Sequence, residues 1–442
     1  MIGGMNKRSL IINQFRQAVY SRLAQRADAV LDLVDGLTSA TGVESPVAVS
    51  ESPLFRRRFS SVYDALEHGR LDLFWVRKLL NRHQPEAAET IAGYEVYAVD
   101  CTEDAHAEAE TLPDRHQTRK GRFAPKSVGH RYSWLARLVQ WRTSWCMPQD
   151  IDRVATASTD SQAAAAQVKR LEKQSAHPKV VVADSLYSNV VFLSIFVTLQ
   201  TTFALVRLRS NRVLYEEPPT RTGAEKGRPR KHGDKFEVGK PKRQPERCQE
   251  LTLLGQAVNL RAWHDLHFRQ LPPLVGLVLC IEFLKADGTS RFKRPIYLFW
   301  TGPDTVALED LCRMYLWRFA IEHMFRFLKQ HLGLSTSRSP DPAHNALWMW
   351  CCALAYCQLL LIRQEVADQR PPWQPPSVKG QTRPMTPRQV QRVALPFLLE
   401  LGTPARAPQP AGKGHGRALG HRPKPRPRYS VVQKGKFQAQ SG

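Results

Sequence analysis

The stretch "KVVVAD", residues 179–184, constrains the fold more than any other part of the sequence. Its continuous apolar run, without alternation, predicts a short strand that is buried on both faces and ends at Asp184. Upstream, "STDSQAAAAQVKRLEKQ" has a Ser/Thr/Asp start signal and an alanine-rich body, which predicts a helix. The alternating "YEVYAVD" predicts a strand ending at Asp100, and "RYSWLARLVQW" predicts another. The order is therefore strands, helix and buried strand.

The 442 residues allow two or three domains. Apolar positions at helical spacing predict a helical region at 1–90, where "ESPLFRRRFSS" places three arginines beside a phenylalanine. That region is either a bundle that touches phosphates or a plain helical cap. Residues 210–270 are basic and turn-rich, which predicts an insertion that is partly loop. "PLVGLVLCIEFL" and "RPIYLFWTG", separated by the turn "ADG", predict two more strands.

The formal net charge of +24 is concentrated in two places. Residues 371–442 carry 13 Lys/Arg and one acid, and residues 219–244 carry nine Lys/Arg and three acids. Such clusters indicate a polyanionic partner, most often nucleic acid, although solubility alone is the competing explanation. The segment 367–442 is also rich in proline and low in apolar residues, which predicts a largely disordered tail.

Cysteine usage and hydropathy indicate a cytoplasmic protein. None of the eight cysteines forms a C-x-x-C pair, which argues against a zinc finger, and the N-terminus lacks the apolar core of a signal peptide. The run "ALWMWCCALAYCQLLLI" is at the short limit for a membrane span and is interpreted as a buried core helix. No membrane partner is expected.

The stretch "YLWRFAIEHMFRFLKQ", residues 315–330, predicts a helix with one polar stripe. At about 100° per residue, Tyr315, Arg318, Glu322 and Lys329 fall within about 60° of one another. A carboxylate flanked by cations suits a metal site with phosphate beside it. The competing explanation is an ordinary ion pair between Arg318 and Glu322.

Asp100 and Asp184 each follow an apolar strand run, so stiff strand ends can hold both carboxylates at a fixed separation. Two divalent cations roughly 4 Å apart require such an arrangement, and Glu322 is the best third carboxylate. Taken singly, either aspartate could be a strand-end turn residue.

The combination resembles bacterial insertion-sequence transposases of the DDE class. Tyr315, Arg318, Glu322 and Lys329 fit Y-x2-R-x3-E-x6-K, and Asp184 and Tyr187 fit D-x-x-[YF]. The order Asp, Asp, Glu also fits, as does the long gap before Glu322, where a β-rich insertion interrupts the catalytic fold in this group. Ser185 departs slightly, since Gly or Ala is frequent there.

This resemblance implies an α/β, RNase H-like catalytic domain, a mixed sheet flanked by helices, formed by residues 91–209 and 271–366. It implies that Asp100, Asp184 and Glu322 bind two Mg²⁺ ions, which Mn²⁺ can replace. It also implies phosphate contacts by Tyr315, Arg318 and Lys329, double-stranded DNA as substrate, and a homodimer that brings two transposon ends together. A nucleoid-associated location follows from the DNA substrate.

Further DNA contacts are expected from the insertion. "KGRPRK", residues 226–231, resembles an AT-hook core whose Arg228, Arg230 and Lys231 could enter a minor groove or contact phosphates generally. Trp263 could stack on a flipped base, with core packing as the competing role. His130 and His323 are interpreted as structural.

The function predicted from the sequence is therefore a transposase that cleaves and joins DNA at terminal inverted repeats. The alternatives are a catalytically silent DNA-binding descendant or another RNase H-like nuclease.

Overall fold

A computed structural model gives the fold of the chain. It describes residues 7–85, 88–119, 126–220, 229–367, 384–410, 416, 418–422 and 424–432.

The first part of the chain is helical. It contains α1 (Lys7–Tyr20), β1 (Leu23–Gln25), α2 (Ala27–Ser39), a 3₁₀ helix (Pro46–Glu51), α3 (Ser60–His68), β2 (Arg70–Leu71) and α4 (Leu73–Arg82). Its apolar side chains enter the same hydrophobic core as those of the C-terminal helices, so the region caps the rest of the protein. Two of its three arginines, Arg56 and Arg57, pair with the buried carboxylate of Asp32.

A large mixed sheet forms the centre of the molecule. Its strands in chain order are β3 (Glu95–Ala105), β4 (His116–Arg119), β5 (Lys126–Leu138), β6 (Cys146–Arg153), β7 (Lys179–Ala183), β8 (Thr202–Leu208), β9 (Val213–Tyr215), β10 (Lys235–Glu237), β11 (Arg247–Leu253), β12 (Gln256–Phe268), β13 (Leu271–Phe283) and β14 (Ile296–Trp300).

The half of the sheet that contains β7 has the spatial order β6-β5-β3-β7-β8. Strands β3, β5 and β6 are antiparallel neighbours, whereas β7 is parallel to both β3 and β8. Strand β7 is buried along its whole length, as its apolar run predicts. This mixed sheet flanked by helices fits an RNase H-like fold.

Helices cover both faces of the sheet. They are α5 (Asp160–Glu172), α6 (Val190–Leu193), α7 (Leu308–Trp317), α8 (Phe319–His331), α9 (Pro342–Ile362) and α10 (Pro387–Leu401). Helix α5 begins with a capping box between Thr159 and Gln162 and packs on one face. Helices α7 to α10 pack on the other face, together with the N-terminal helices.

The region 210–270, expected as a partly looped insertion, belongs to the sheet. Strand β12 pairs with β13 over most of its length, and β13 pairs with β14, which continues to β8. The expected boundary at 270/271 therefore falls in the tight turn of the β12–β13 hairpin, where Phe268 pairs with Leu271. The two halves of the sheet share one continuous set of backbone hydrogen bonds.

Strand β3 also differs from its prediction. It continues five residues past Asp100 to Ala105, because the long strand β5 supplies backbone partners as far as Gly129. Asp100 thus lies within a strand, whereas Asp184 directly follows one, as expected.

The expectation of a largely disordered tail does not hold for residues 387–401. They form α10, which starts at a capping box between Thr386 and Gln389 and buries Val390, Ala394 and Leu398. Composition hid this helix, because proline and arginine surround one amphipathic segment. A shorter segment near Val432 also pairs with the backbone of His116.

A buried polar network ties both ends of the chain to α9. The guanidinium of Arg16 on α1 pairs with the carboxylate of Asp35 on α2 and donates to the carbonyl of Gly402 at the end of α10. Gln358 on α9 donates to Asp35 as well, with 2.9 Å between Nε2 and Oδ1. Because these groups are buried, each depends on the others for its hydrogen bonds.

Helix α9 is the one helix in the described residues that is long and apolar enough to cross a membrane. However, 89% of its most apolar stretch is buried inside the fold. The prediction of a buried core helix is therefore confirmed.

The substitution Leu398→Ala tests whether α10 is part of the core. Leu398 is 1% exposed and its neighbour Leu399 is 55% exposed. We expect Leu398→Ala to lower the free energy of unfolding by about 2–4 kcal/mol, because it leaves a cavity under the helix. Leu399→Ala is the matched control and should change it by less than about 0.5 kcal/mol. Equal, negligible effects in urea unfolding would mean that α10 does not pack as described.

Candidate active site

The parallel pairing of β3 and β7 sets Asp100 beside Asp184. Ala98 lies opposite Val182 in the register of these strands, and two residues further along are the two aspartates. Because side chains alternate along a strand, Asp100 and Asp184 lie on the same face of the sheet as Ala98 and Val182, which is the face covered by α7 to α10. Parallel strands lie about 4.8 Å apart, so the two carboxylates emerge side by side on that face.

The turn after β7 is fixed by its own residues. The backbone N–H of Leu186 donates to Asp184 Oδ1 over 2.8 Å, and the hydroxyl of Tyr187 donates to the sulfur of Cys101 over 3.4 Å. Tyr187 is fully buried, so its ring and hydroxyl attach this turn to β3. The D-x-x-[YF] pattern thus has a physical reason, since its tyrosine holds the two aspartate positions together.

The predicted helix of residues 315–330 is divided in two. Helix α7 ends at Trp317 and α8 begins at Phe319, and the N–H groups of Arg318 and Ile321 bond three residues back, to Tyr315 and Arg318. This tighter turn keeps the chain helical enough to preserve the i, i+4 contact between Arg318 and Glu322. The helical-wheel prediction therefore holds locally, although the helix is not continuous.

Helix α8 packs across the same face of the sheet. Phe325 meets Trp134 edge to face, with 5.7 Å between ring centroids, and Trp134 lies opposite Asp100 in the register of β3 and β5. This packing brings the first turn of α8, which carries Glu322, over the aspartates.

Arg318 lies between the carboxylates. Its Nη2 is 2.7 Å from Glu322 Oε1, and its Nη1 is 3.8 Å from Asp100 Oδ2. The ordinary ion pair considered as the competing explanation is therefore present, but the same guanidinium also reaches the strand. Arg318 is 6% exposed, so these interactions take place away from bulk water.

The carboxylates interact electrostatically. Burial raises the pKa of Asp100 from 3.8 to about 6; Arg318 opposes this rise, and the charges of Asp184 and Glu322 add to it. Burial alone would lower the pKa of the Arg318 guanidinium. The nearby groups of Tyr315, Glu322 and Asp100 outweigh this effect and raise it. A cluster of acids that repel one another in a partly buried cleft attracts a cation.

The side chains present suit a magnesium ion chemically. Mg²⁺ prefers hard oxygen ligands and keeps several waters, so Asp100 and Asp184 supply a suitable pair and Glu322 a third carboxylate. As the side chains lie, no group of three or more His, Cys, Asp or Glu in the described residues is arranged to hold a metal. Glu322 is held by Arg318, whose guanidinium provides the positive charge between the acids.

The other residues of the predicted polar stripe make contacts within the protein. Tyr315 is 1% exposed, its ring centroid lies 5.8 Å from the Arg318 guanidinium, and burial raises its pKa. Lys329 Nζ donates to the backbone carbonyl of Glu103 on β3 over 3.0 Å. A DNA phosphate could reach Tyr315 or Arg318 only after rearrangement, so their phosphate contacts stay predictions.

The predicted contacts in the insertion have mixed positions. Arg230 and Lys231 are exposed, and Arg228 lies outside the described residues. Trp263 is 2% exposed, packs against Phe236 and donates to the carbonyl of Arg243. It has the core role that was the alternative to base stacking, and a flipped base cannot reach it in this structure.

The two histidines interpreted as structural differ in position. His130 is buried and interacts with the carbonyl of Pro113, with 2.9 Å between Nε2 and the oxygen. His323 is exposed beside Glu322.

Arg207 is a site residue that the sequence analysis missed. Ala183 pairs with Val206 in the parallel register of β7 and β8, so the next pair is Asp184 and Arg207. Arg207 is exposed and influences the pKa of Tyr315. Its only signal is one charge within the apolar run "TFALVRL", and that signal has meaning only once β8 is known to lie beside β7.

A family model matches the part of the chain that carries the two aspartates. Residues 17–270, more than half of the chain, match the family described as DDE superfamily endonuclease, and the protein belongs to that family. The match includes Asp100 and Asp184 and ends before Glu322. A search of curated proteins returned no match.

The raised pKa of Asp100 predicts a gain in stability on its neutralisation. The carboxyl ionises more easily in the unfolded chain than in the fold, so its ionisation destabilises the fold as pH rises from 3.8 through about 6. Asp100→Asn should therefore increase the free energy of unfolding by up to about 3 kcal/mol near pH 7.5. The gain in stability should shrink as the pH falls below about 6 and vanish below about 4, where Asp100 is protonated in both the folded and the unfolded chain.

Urea unfolding at several pH values, with no divalent metal present, measures this difference. Glu108→Gln, which neutralises an exposed acid outside the site, is the matched control and should leave the pH profile unchanged. A loss of stability in Asp100→Asn at neutral pH would contradict the electrostatic description of the site.

Proposed function

We propose that this protein is a DNA transposase that binds the terminal inverted repeats of its insertion sequence, cleaves DNA there and joins the ends to target DNA. Membership of the DDE superfamily endonuclease family supports nuclease activity on DNA. The inverted repeats, the strand transfer and the pairing of two ends by a homodimer come from the resemblance of the residues 315–329 to the transposase signature.

One observation carries the proposal. Two stiff parallel strands hold Asp100 and Asp184 side by side, and a carboxylate on α8 faces them through Arg318. The same three acids in the same chain order define the signature. A structural ion pair alone would explain Arg318 and Glu322 but not two further acids at adjacent strand positions.

Asp100, Asp184 and Glu322 would hold two Mg²⁺ ions, or Mn²⁺ in their place. When bound, such ions activate an attacking oxygen and stabilise the leaving oxygen of a phosphodiester. The side chains of this protein have a different task. Asp100 and Asp184 are held by backbone N–H donors and by the packed turn at Tyr187, and Arg318 places a guanidinium beside Glu322 and Asp100, where it could also contact a phosphate.

A covalent protein–DNA intermediate is not expected at this site. The hydroxyl of Tyr187 and the thiol of Cys101 are two nucleophile-type groups close to the aspartates. Burial raises the pKa of Cys101 to about 12 and that of Tyr187 well above its ordinary value. Both groups therefore stay protonated at neutral pH, which argues against attack by either of them.

Glu322→Gln is the direct test of this function. Glutamine keeps an acceptor for Arg318 but removes the charge that binds metal. We expect Glu322→Gln to cleave labelled end DNA with Mg²⁺ about a thousandfold more slowly, because losing this charge removes several kcal/mol of transition-state stabilisation. DNA binding without metal should stay within about threefold of the unaltered protein, because Glu322 does not contribute attraction to phosphates.

His323→Gln is the matched control, since it alters the exposed neighbour of Glu322 on the same helix. It should cleave at the normal rate. Full cleavage by Glu322→Gln would refute the assignment.

The two alternative functions give different products. A catalytically silent DNA-binding descendant would bind end DNA and never cut it, with or without Mn²⁺. Another RNase H-like nuclease would cut branched DNA or an RNA strand without joining the ends.

A further inference from the structure

A cleft next to Asp184 is lined by arginines. One cavity of about 620 Å³ is bordered by Ser185, Arg207, Arg209 and Arg294. A second cavity, of about 330 Å³, shares Arg209 and adds Arg212 and Arg269. We call the five residues Arg207, Arg209, Arg212, Arg269 and Arg294 the arginine cleft.

Among the residues that the structure describes, no acidic side chain borders either cavity. In the part of the chain that the structure describes, carboxylates pair with many arginines, such as Arg77, Arg131 and Arg170, but with none of the arginine cleft. Burial lowers the pKa of Arg212, and the charge of the neighbouring Arg209 lowers it further, so these two cations repel each other. A fold that keeps five uncompensated cations together is suited to a polyanion.

Strand pairing and a hydrogen bond join the cleft to the segment that carries Asp184. Arg207 lies opposite Asp184 in the register of β7 and β8. Arg212 donates to the carbonyl of Ser188, in the turn after β7, over 2.9 Å. From there the arginines continue outward through the β8–β9 turn to the β12–β13 turn, which carries Arg269. Arg207, Arg209, Arg269 and Arg294 are all exposed.

We infer that the arginine cleft binds the phosphate backbone of duplex DNA on one side of the scissile phosphate. This inference rests on the proposed function for the position of the scissile phosphate, but not for the binding itself. The cleft begins one strand away from Asp184, which is close enough for one DNA molecule to contact both. Exposed guanidinium groups that contact phosphates do not read bases, so we expect binding in the cleft to be independent of sequence.

The test uses the full-length triple variant Arg207→Gln/Arg209→Gln/Arg294→Gln and a labelled duplex of mixed sequence, without divalent metal. Each lost phosphate contact lowers the slope of log affinity against log salt by about 0.9, so the slope should fall by about 3. Affinity at low salt should fall about tenfold or more. Because the three side chains are exposed, the midpoint of thermal unfolding should stay close to that of the unaltered protein.

Two controls separate charge in the cleft from other effects. The corresponding triple lysine variant keeps the charges and should keep the salt slope. Arg82→Gln removes an exposed arginine from the last turn of α4, away from the cleft, and should lower the slope by no more than about 1. An unchanged slope in the glutamine triple variant would overturn the inference, as would an equal loss in the lysine variant or tighter binding of an RNA duplex.

Cleavage assays separate this inference from the proposed function. Normal DNA affinity in the glutamine triple variant, together with lost cleavage in Glu322→Gln, would reject the cleft and keep the transposase. Lost affinity in the triple variant, with no cleavage by the unaltered protein, would keep the cleft and reject the transposase.

Discussion

The pairing of β3 with β7 is the interaction on which the rest of the site depends. Parallel strands fix both separation and direction, and here the register leaves an aspartate on each strand at the same level. Burial of this site raises the pKa of Asp100, and the nearby charge of Asp184 adds to the rise, so the ionised carboxylate destabilises the fold at neutral pH. Apolar packing on both faces of β7, and the contact of Tyr187 with Cys101, keep this arrangement in place.

The positive charge of Arg318 stabilises the ionised carboxylates of this site. One guanidinium reaches both Glu322 and Asp100, so it neutralises part of the acid cluster and attaches α8 to the sheet. Glu322 would have to give up this ion pair in order to hold a divalent ion.

The sequence predicted the local parts of this structure well. Strand β7, helix α5 with its cap and the buried helix α9 all follow from composition and period over a few residues. The three carboxylates were found because the motif fixes their identity and order. The placement of Arg207 beside Asp184 could not be predicted, because it depends on which strand lies next to β7. Helix α10 was missed for a different reason, since average composition over a long tail concealed one amphipathic segment.

The network around Arg16 has a consequence for how the chain is made. Arg16 and Asp35 are buried together, yet Arg16 also donates to the carbonyl of Gly402, which lies 386 residues further along the chain. A ribosome releases the N-terminal helices hundreds of residues before α10. During that interval their apolar faces lack the cover that α9 and α10 later provide, and nascent chains with exposed apolar surface recruit chaperones or aggregate. A chain broken off early would therefore leave an N-terminal region whose apolar faces lack the cover of α9 and α10.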